Sequence, residues 1–250
     1  MKAIKAPFVV LWKVWFYVVV FLVILGIFPF IWVWSRKEKD YPRFFLWSQI
    51  WAKAVLMGSF LPLRVVRKAK ALPKQCIIVS NHTSMLDIPY NLLLFPHPFL
   101  FIGKVELSRL PLFGHFYKRT NILIDRSSLK SIRETMRVAD EKLQEGYSLC
   151  IYPEGGVPSH EVFLGTFKEG AFRLAKEHGL PLLPITFADN KKAYPYVWNL
   201  GGPRRLRATV HQPVATEGRS IEELKTILRT TFEQELEEYG ISNETQQGRD

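Results

Sequence analysis

The sequence predicts an α/β fold: a mixed, mostly parallel central sheet covered by helices on both faces, preceded by a membrane-embedded helical segment. Three observations lead to this prediction. From residue 75 onward, short apolar runs alternate with helical patterns, as in chains that build parallel sheets. The runs are continuously apolar, which indicates strands buried on both sides. The first 63 residues are strongly apolar and aromatic, which is typical of membrane contact.

The amino-terminal segment contains a charge-free run long enough to cross a bilayer. Residues 14–34 carry no charged side chain, and a helix of this length measures about 31 Å, close to the thickness of the hydrocarbon core. Because no cleavage site of small residues follows, we expect an uncleaved anchor and not a signal peptide. Pro29 is expected to kink or end this helix. A second apolar stretch at 44–63 predicts an amphipathic helix in the membrane interface.

The arrangement of this anchor is left open by the sequence. One spanning helix with a surface helix, a helical pair sunk in one leaflet, and a buried hairpin of a soluble domain all fit the pattern. Basic side chains flank the run with a small excess after it: Lys2, Lys5 and Lys13 precede it, and Arg36, Lys37, Lys39 and Arg43 follow. This bias favours a main domain that faces the cytoplasm. The basic run at 64–74 predicts either contact with anionic headgroups or a solvated linker.

The rest of the chain divides into alternating elements. Strands are predicted at 75–80, 99–102, 121–125, 148–152, 182–187 and 206–211. Helices are predicted at 87–94, 129–144, 168–178 and 221–239, with short segments at 105–110 and 112–117. Ser127 is expected to cap the helix that begins at residue 129. These elements give three regions, namely membrane-anchoring helices at 1–63, an α/β domain at 64–240 and a flexible tail at 241–250.

Composition narrows the class of partner. The chain has 34 basic and 23 acidic residues, a net charge of +11, and such charge attracts phosphate-bearing partners. Four of the seven tryptophans fall in the first 34 residues, which favours a membrane over nucleic acid. Cys76 and Cys150 lie in apolar runs and are predicted to be reduced core residues. Since no C-x-x-C motif is present, neither a zinc site nor a redox motif is expected.

A cluster of proton-handling groups, SNHTSMLD at 80–87, directly follows a predicted strand. On one continuous helix His82 and Asp87 would point about 140° apart, so the chain must bend if they cooperate. Thr83 or Ser84 would then cap the helix that carries Asp87. The carboxylate could hold one imidazole nitrogen and leave the other free to accept a proton. Because the chain has no G-x-S-x-G motif, the hydroxyl to be deprotonated would belong to a substrate.

The segment NHTSMLD at 81–87 resembles the N-H-x-S-x-x-D signature of the glycerolipid acyltransferases, in particular the bacterial 1-acylglycerol-3-phosphate acyltransferases. Further segments are similar to that family in the same order along the chain. They are FIGKVELSRLPLFG at 101–114, NILIDR at 121–126, YPEGG at 152–156, FKEGAFRLA at 167–175 and LPLLPITF at 180–187. Together these segments cover about residues 75–190.

The resemblance implies acyl transfer without a covalent enzyme intermediate. The acyl chain would pass from acyl-CoA or acyl-carrier protein to the sn-2 hydroxyl of lysophosphatidic acid, giving phosphatidic acid. His82 would take the proton of that hydroxyl, and Asp87 would orient the imidazole. No cofactor or metal is implied beyond the acyl donor. The expected location is the inner membrane, with the active domain facing the cytoplasm.

The resemblance also implies a site for the acceptor. Lys104 and Arg126 would bind its phosphate, and Glu154 with Gly155 would fix the cations of the site or contact the glycerol part. From the residues alone, Lys104 could equally be solvated surface. The guanidinium of Arg126 could equally pair with the carboxylate of Asp125 or of Glu154.

One departure from the family pattern leaves the acceptor open. Gly156-Val157 stands where the family has Thr-Arg, so a cation expected near the phosphate is missing. Lys168, Arg173 and Lys104 are the candidates to replace it. The acceptor could therefore be another lysolipid, such as a lyso-ornithine lipid. An alternative from a different class is a membrane-binding protein with a vestigial site.

Overall fold

The computed structural model describes residues 2–110 and 113–241 and has one seven-stranded sheet with helices on both faces. The helices are α1 (Lys2–Trp34), α2 (Tyr41–Gly58), α3 (Asp87–Leu94), α4 (Phe113–Thr120), α5 (Leu129–Gln144), α6 (Gly170–Glu177), α7 (Asn190–Ala193) and α8 (Ile221–Glu238). The strands are β1 (Leu63–Arg67), β2 (Ile77–Ser80), β3 (Phe99–Lys104), β4 (Ile122–Ile124), β5 (Ser148–Ile151), β6 (Leu182–Phe187) and β7 (Leu206–Val210). Short 3-10 helices lie at Glu38–Asp40 and Val105–Arg109. The predicted tail lies, except for residue 241, outside the described residues.

The strand order is β1-β7-β6-β2-β5-β3-β4. All neighbouring strands are parallel except β6 and β7, which are antiparallel. The prediction of a mixed, mostly parallel sheet is confirmed. The carboxyl ends of β2 to β6 meet at one edge of the sheet, which we call the carboxyl edge. The amino ends of β1 and β7 reach the same edge because these two strands run in the opposite direction.

Strand β1 was not predicted, because its residues carry the charge pattern of a linker. Its side chains are either exposed or only partly buried, and it includes Arg64 and Arg67. As the outermost strand it pairs only with β7. Charged side chains on such a strand are common because they discourage pairing with another chain. Tertiary pairing, and not local propensity, makes this segment a strand.

Two apolar cores lie on the two faces of the sheet. On one face α5, α6 and α8 pack over the strands through residues such as Phe172 and Phe232. On the other face α1, α2 and α3 cover the strands through residues such as Tyr90 and Phe45. All residues of β2 and β6 are buried, as continuous apolar strands require. The two cysteines are buried and free, as predicted.

Helix α1 continues through Pro29 to Trp34, so Pro29 does not end it. Packing on both sides of the proline offsets the lost backbone hydrogen bond. Phe30 stacks on Trp47 of α2 at 4.0 Å, and Ile31 is buried. Helix α1 is long and apolar enough to cross a membrane by length and composition.

Helices α1 and α2 form a hairpin that packs against the α/β part. The indole nitrogen of Trp12 donates to the carbonyl of Ser59 at 3.0 Å, near the end of α2. The buried ammonium of Lys13 donates to the carbonyls of Pro195 at 2.8 Å and Val197 at 2.6 Å. The hairpin is therefore tied to the loop that follows α7. The division into regions 1–63 and 64–240 stays a prediction.

Most of the exposed large apolar side chains lie on this hairpin and at its end. They are Phe8, Leu11, Val14, Trp15, Tyr17, Val18, Phe21, Leu22, Leu25, Phe30, Trp32, Val33, Leu46, Ile50, Met57 and Phe60. A contiguous apolar surface of this kind marks a contact with lipid or with another protein.

The helix start at residue 129 differs in its cap from the prediction. Ser128, and not Ser127, accepts the backbone N–H of Ser131 and caps α5. The hydroxyl of Ser127 instead donates to the carboxylate of Asp125 at 2.6 Å. Either serine fits an N-cap by type, and the geometry of the turn after β4 decides between them.

Candidate active site

His82 and Asp87 contact each other where β2 ends at the carboxyl edge. His82 Nδ1 lies 2.9 Å from Asp87 Oδ2. Because an ionised carboxylate can only accept, Nδ1 carries the proton and Nε2 is left with a free lone pair. The His82 side chain is 15% exposed, so part of it reaches the surface. The structure thus brings together the two residues on which the sequence-based mechanism depends.

Asp87 is fully buried and is held by the backbone that precedes it. Its Oδ2 accepts the backbone N–H of Thr83 at 2.6 Å and of Ser84 at 2.8 Å, and its Oδ1 accepts the Thr83 hydroxyl at 3.1 Å. The prediction that Thr83 or Ser84 caps α3 is wrong, since Leu86 is the N-cap and makes no side-chain bond. The loop bends because the side chain of Asp87 accepts hydrogen bonds from the backbone of the residues before it, and not because a loop side chain caps the helix.

Asn190, which the sequence analysis missed, completes the surroundings of Asp87. Its side-chain amide donates to Asp87 Oδ1 at 2.8 Å. Asn190 begins α7, three residues beyond the end of β6. Sites in open α/β sheets usually lie just beyond the carboxyl ends of the strands. The same rule applied to the run 182–187 would have included Asn190.

The ring of Tyr152 lies flat against the imidazole of His82. Their centroids are 3.9 Å apart and their planes differ by 13°. The Tyr152 hydroxyl accepts the side-chain amide of Asn91 at 3.1 Å, which fixes the phenol ring in turn. The imidazole is therefore held by a carboxylate at one nitrogen and by an aromatic ring on one face.

Glu154 supports the backbone of His82. Both of its carboxyl oxygens lie 3.2 Å from the His82 backbone nitrogen, which donates to them. Burial raises the pKa of Glu154 to about 8, and the nearby charge of Asp87 adds to this effect. Glu154 is therefore mostly protonated at pH 7. It acts on the position of His82 and forms no ion pair with Arg126.

Lys191, a second residue that the sequence analysis missed, fixes the loop after the YPEGG turn. Its ammonium is buried and donates to the carbonyls of Ser159 at 2.6 Å and Val162. Burial lowers the pKa of Lys191 to about 8, against the opposing effect of the charge of Asp87. The hydrogen bonds of this buried lysine to backbone carbonyls have a structural role, because they connect α7 to the loop that carries Glu154.

Lys104 is the last residue of β3, and Arg126 lies two residues beyond the end of the adjacent parallel strand β4 at the same carboxyl edge, where Lys104 is in register with Ile124. Lys104 is exposed and Arg126 is partly buried. Neither forms an ion pair within residues 2–110 and 113–241. Burial lowers the pKa of Arg126, although not enough to discharge it. Both cations are thus available for a phosphate.

The glycines of the YPEGG turn allow basic side chains to come close. A Cβ atom on Gly156 would lie 3.3 Å from Nη1 of Arg126, and one on Gly155 would lie 3.0 Å from Nζ of Lys168. Gly155 also has a φ of 69°, which favours glycine. Arg173 instead pairs with Glu169 at 3.1 Å. Lys168 is therefore better placed than Arg173 to replace the missing family arginine.

Glu154→Gln is expected to keep most activity, because the glutamine oxygen can still accept the His82 N–H and the carboxyl is mostly neutral in the native protein. Since the folded-state pKa of about 8 lies above the ordinary glutamate value of 4.5, Glu154 favours folding fully below pH 4.5, and this contribution is lost as the pH rises through 8. The difference in Tm, variant minus wild type, should therefore increase from pH 5 to pH 9. Glu217→Gln, at an exposed glutamate, is the control. A difference in Tm between Glu154→Gln and wild type that does not change with pH would contradict the neutral state of Glu154.

Comparison with known proteins places the chain in a family. A family model described as Acyltransferase matches residues 63–188. A chloroplastic 1-acyl-sn-glycerol-3-phosphate acyltransferase of Brassica napus is 28% identical over 203 residues, which are 79% of this chain and 57% of the relative. A 1-acyl-sn-glycerol-3-phosphate acyltransferase of Helicobacter pylori is 37% identical over 120 residues, 47% of this chain and 50% of the relative. The chain spans about half the length of the curated relatives it matches.

A solved structure shares the fold. The crystal structure of the 1-acyl-sn-glycerophosphate acyltransferase PlsC from Thermotoga maritima matches 97% of this chain and 99% of that chain, with a TM-score of 0.79 and 24% sequence identity. The similarity includes the hairpin of α1 and α2, since nearly the whole chain is covered. Because the family model matches about half of the sequence, including every strand from β1 to β6, the chain belongs to the acyltransferase family.

Proposed function

We propose that the protein transfers an acyl chain from acyl-CoA or acyl-carrier protein to the sn-2 hydroxyl of lysophosphatidic acid, which gives phosphatidic acid. The single observation that carries this proposal is the contact of 2.9 Å between His82 Nδ1 and Asp87 Oδ2. It leaves Nε2 unprotonated on a side chain that is partly exposed. The names of the relatives in Brassica napus and Helicobacter pylori support the same substrate.

The proton and the acyl group move in a balanced sequence. His82 Nε2 takes the proton of the lipid hydroxyl while the hydroxyl oxygen forms a bond to the carbonyl carbon of the thioester. The ionised Asp87 stabilises the imidazolium that results. The carbon–sulfur bond then breaks, and the imidazolium returns the proton to the leaving thiolate. No serine or cysteine of the protein takes part in this sequence.

The acceptor phosphate is assigned to the basic side chains on the β3–β4 side of His82. Arg126 can bind a phosphate with two parallel hydrogen bonds, whereas Lys104 acts as a point charge. Lys168 beside Gly155 adds a third cation. This set supports a phosphorylated acceptor although residue 157 is a valine, and it favours lysophosphatidic acid over a lyso-ornithine lipid.

The hairpin is proposed to hold the site at the membrane surface. Helix α1 contacts the α/β part at its middle, where Phe16 packs on Tyr194 at 4.7 Å, and near its carboxyl end, where Trp32 stacks on His115 at 4.0 Å. A helix crossing the bilayer would carry these attached parts into the hydrocarbon. The contacts therefore support a hairpin that lies in one leaflet, with its exposed apolar face towards lipid. The donor, being water-soluble, implies the cytoplasmic face of the inner membrane.

An acceptor panel with the purified full chain tests the proposal. Lysophosphatidic acid, monoacylglycerol and lyso-ornithine lipid are compared as acceptors by kcat/KM, with wild type and Arg126→Gln. We expect wild type to prefer lysophosphatidic acid. The variant should lose about tenfold or more of that preference over monoacylglycerol, as a charge-assisted hydrogen bond of about 1.5–3 kcal/mol predicts.

The control is Arg219→Gln, because Arg219 lies beyond the carboxyl end of β7, at the opposite edge of the sheet. A wild-type preference for the ornithine lipid would overturn the acceptor assignment. An unchanged preference in Arg126→Gln would remove that residue from the phosphate site.

A further inference from the structure

A second basic site lies at the carboxyl edge, outside the site described above. An open cleft of about 370 Å³ is lined by Arg64, Asp189, Pro203, Arg204, Arg205 and Arg207. Four of its six lining residues are arginines, and only one is acidic. A concave surface with this charge is suited to phosphate groups.

The single carboxylate of the cleft is already neutralised. Asp189 is buried and accepts both the Nε of Arg207 at 2.6 Å and its Nη2 at 2.7 Å. The other three arginines form no ion pair within residues 2–110 and 113–241, and Arg204 and Arg205 are exposed. The cleft therefore carries about three uncompensated positive charges, and Arg207 is held in a fixed orientation by its two bonds to Asp189.

The strand order places this cleft on the flank of His82 opposite to the proposed acceptor site. From β2, which leads to His82, the sheet continues through β5 and β3 to β4 on one side. On the other side it continues through β6 and β7 to β1. Since strands lie about 4.8 Å apart, β3 and β7 are each about 10 Å from β2. The chain itself links the cleft to the proposed base, because Asp189 lines the cleft and the next residue, Asn190, binds Asp87.

Resting on the proposed function, we infer that this arginine cleft binds the phosphate groups of the thioester donor. The reaction brings two phosphate-bearing substrates to one base, and the structure offers one basic group on each side of that base. CoA and the prosthetic arm of an acyl-carrier protein share the phosphopantetheine phosphate, which is the common ligand chemistry. With the donor phosphate in this cleft and the acceptor phosphate near Arg126, the thioester and the hydroxyl would approach His82 from opposite sides.

The test uses the full chain in detergent, with Arg204→Gln/Arg205→Gln as the variant and Arg219→Gln as the control. Binding of CoA is measured by calorimetry, with pantetheine, which lacks phosphate, as the comparison probe. KM is then measured for palmitoyl-CoA, palmitoyl-carrier protein and lysophosphatidic acid. Binding of the protein to vesicles that contain phosphatidylglycerol is measured in parallel.

We expect the double variant to bind CoA about tenfold or more weakly, with an equal increase in donor KM and an unchanged KM for lysophosphatidic acid. The control should behave as wild type. An increase in KM confined to palmitoyl-CoA would identify the nucleotide phosphates as the ligand, which also supports the cleft as a site for donor phosphate.

Two results would overturn the inference. The first is unchanged CoA binding and donor KM in the double variant. The second is weaker vesicle binding with an unchanged donor KM, which would make the cleft a contact for anionic lipid. Because CoA binding needs no acceptor, a failure of this inference is distinguishable from a failure of the proposed acceptor, which the acceptor panel measures separately.

Discussion

His82→Ala is expected to lower kcat/KM for acyl transfer to lysophosphatidic acid by about 10²–10⁴-fold. The variant removes the imidazole whose Nδ1 contacts the buried Asp87 carboxylate. With it goes Nε2, the nitrogen that is proposed to accept the proton. The fold should persist, because Asp87 keeps its bonds from Thr83 and Ser84. The measurement is steady-state thioester consumption, with circular dichroism and vesicle binding as checks of folding.

The control for this variant is His97→Ala, since His97 is exposed and its ring makes an edge contact with Phe95. The control should keep wild-type activity. If His82→Ala remained active at a rate near wild type, the base would have to be another group, and the proposed mechanism would be rejected.

Asp87→Asn and Asp87→Ala form a pair that separates charge from structure. Both should lower kcat by about 10²–10⁴-fold, because neither stabilises the imidazolium that forms during proton transfer. Only the alanine variant should lose much stability, since it leaves buried donors unpaired, each at a cost of about 1–3 kcal/mol. Comparison of kcat and Tm for the two variants measures both effects.

The asparagine variant can be accommodated because its neighbours adapt. The new amide can donate to the hydroxyl of Thr83. The side chain of Asn190 can turn its oxygen, which is buried without a partner among the described residues, towards that amide. An Asp87→Asn variant that is stable and fully active would show that the charge of Asp87 is not needed, and the proposed role of the pair would fail.

Much of the fold could be predicted from the sequence. Apolar runs flanked by polar turns gave the bounds of β6, and helical periodicity gave those of α3 and α5, in agreement with the structure. These elements have strong local signals. β1 has none, because an edge strand rich in arginine looks like a linker until β7 pairs with it.

Some residues of the candidate site could be predicted from local sequence, whereas others are brought to the site only by the fold. His82 and Asp87 are five positions apart, so a short bend after a strand could be predicted to join them. Asn190 lies 103 residues from Asp87, and its contribution depends on β2 and β6 being neighbours in the sheet. Periodicity within one segment carries no information on which strands are neighbours.

The arginine cleft depends even more on tertiary structure. Arg64 and Arg207 are 143 positions apart in the sequence, yet they are in register on adjacent parallel strands. The sequence by itself determined the amphipathic elements, the apolar amino terminus and the identity of the proton-handling cluster, because these depend on residues within a few positions of one another. The three-dimensional fold decided which distant groups share the edge beside His82, because strand order is set by the packing of both faces of the sheet.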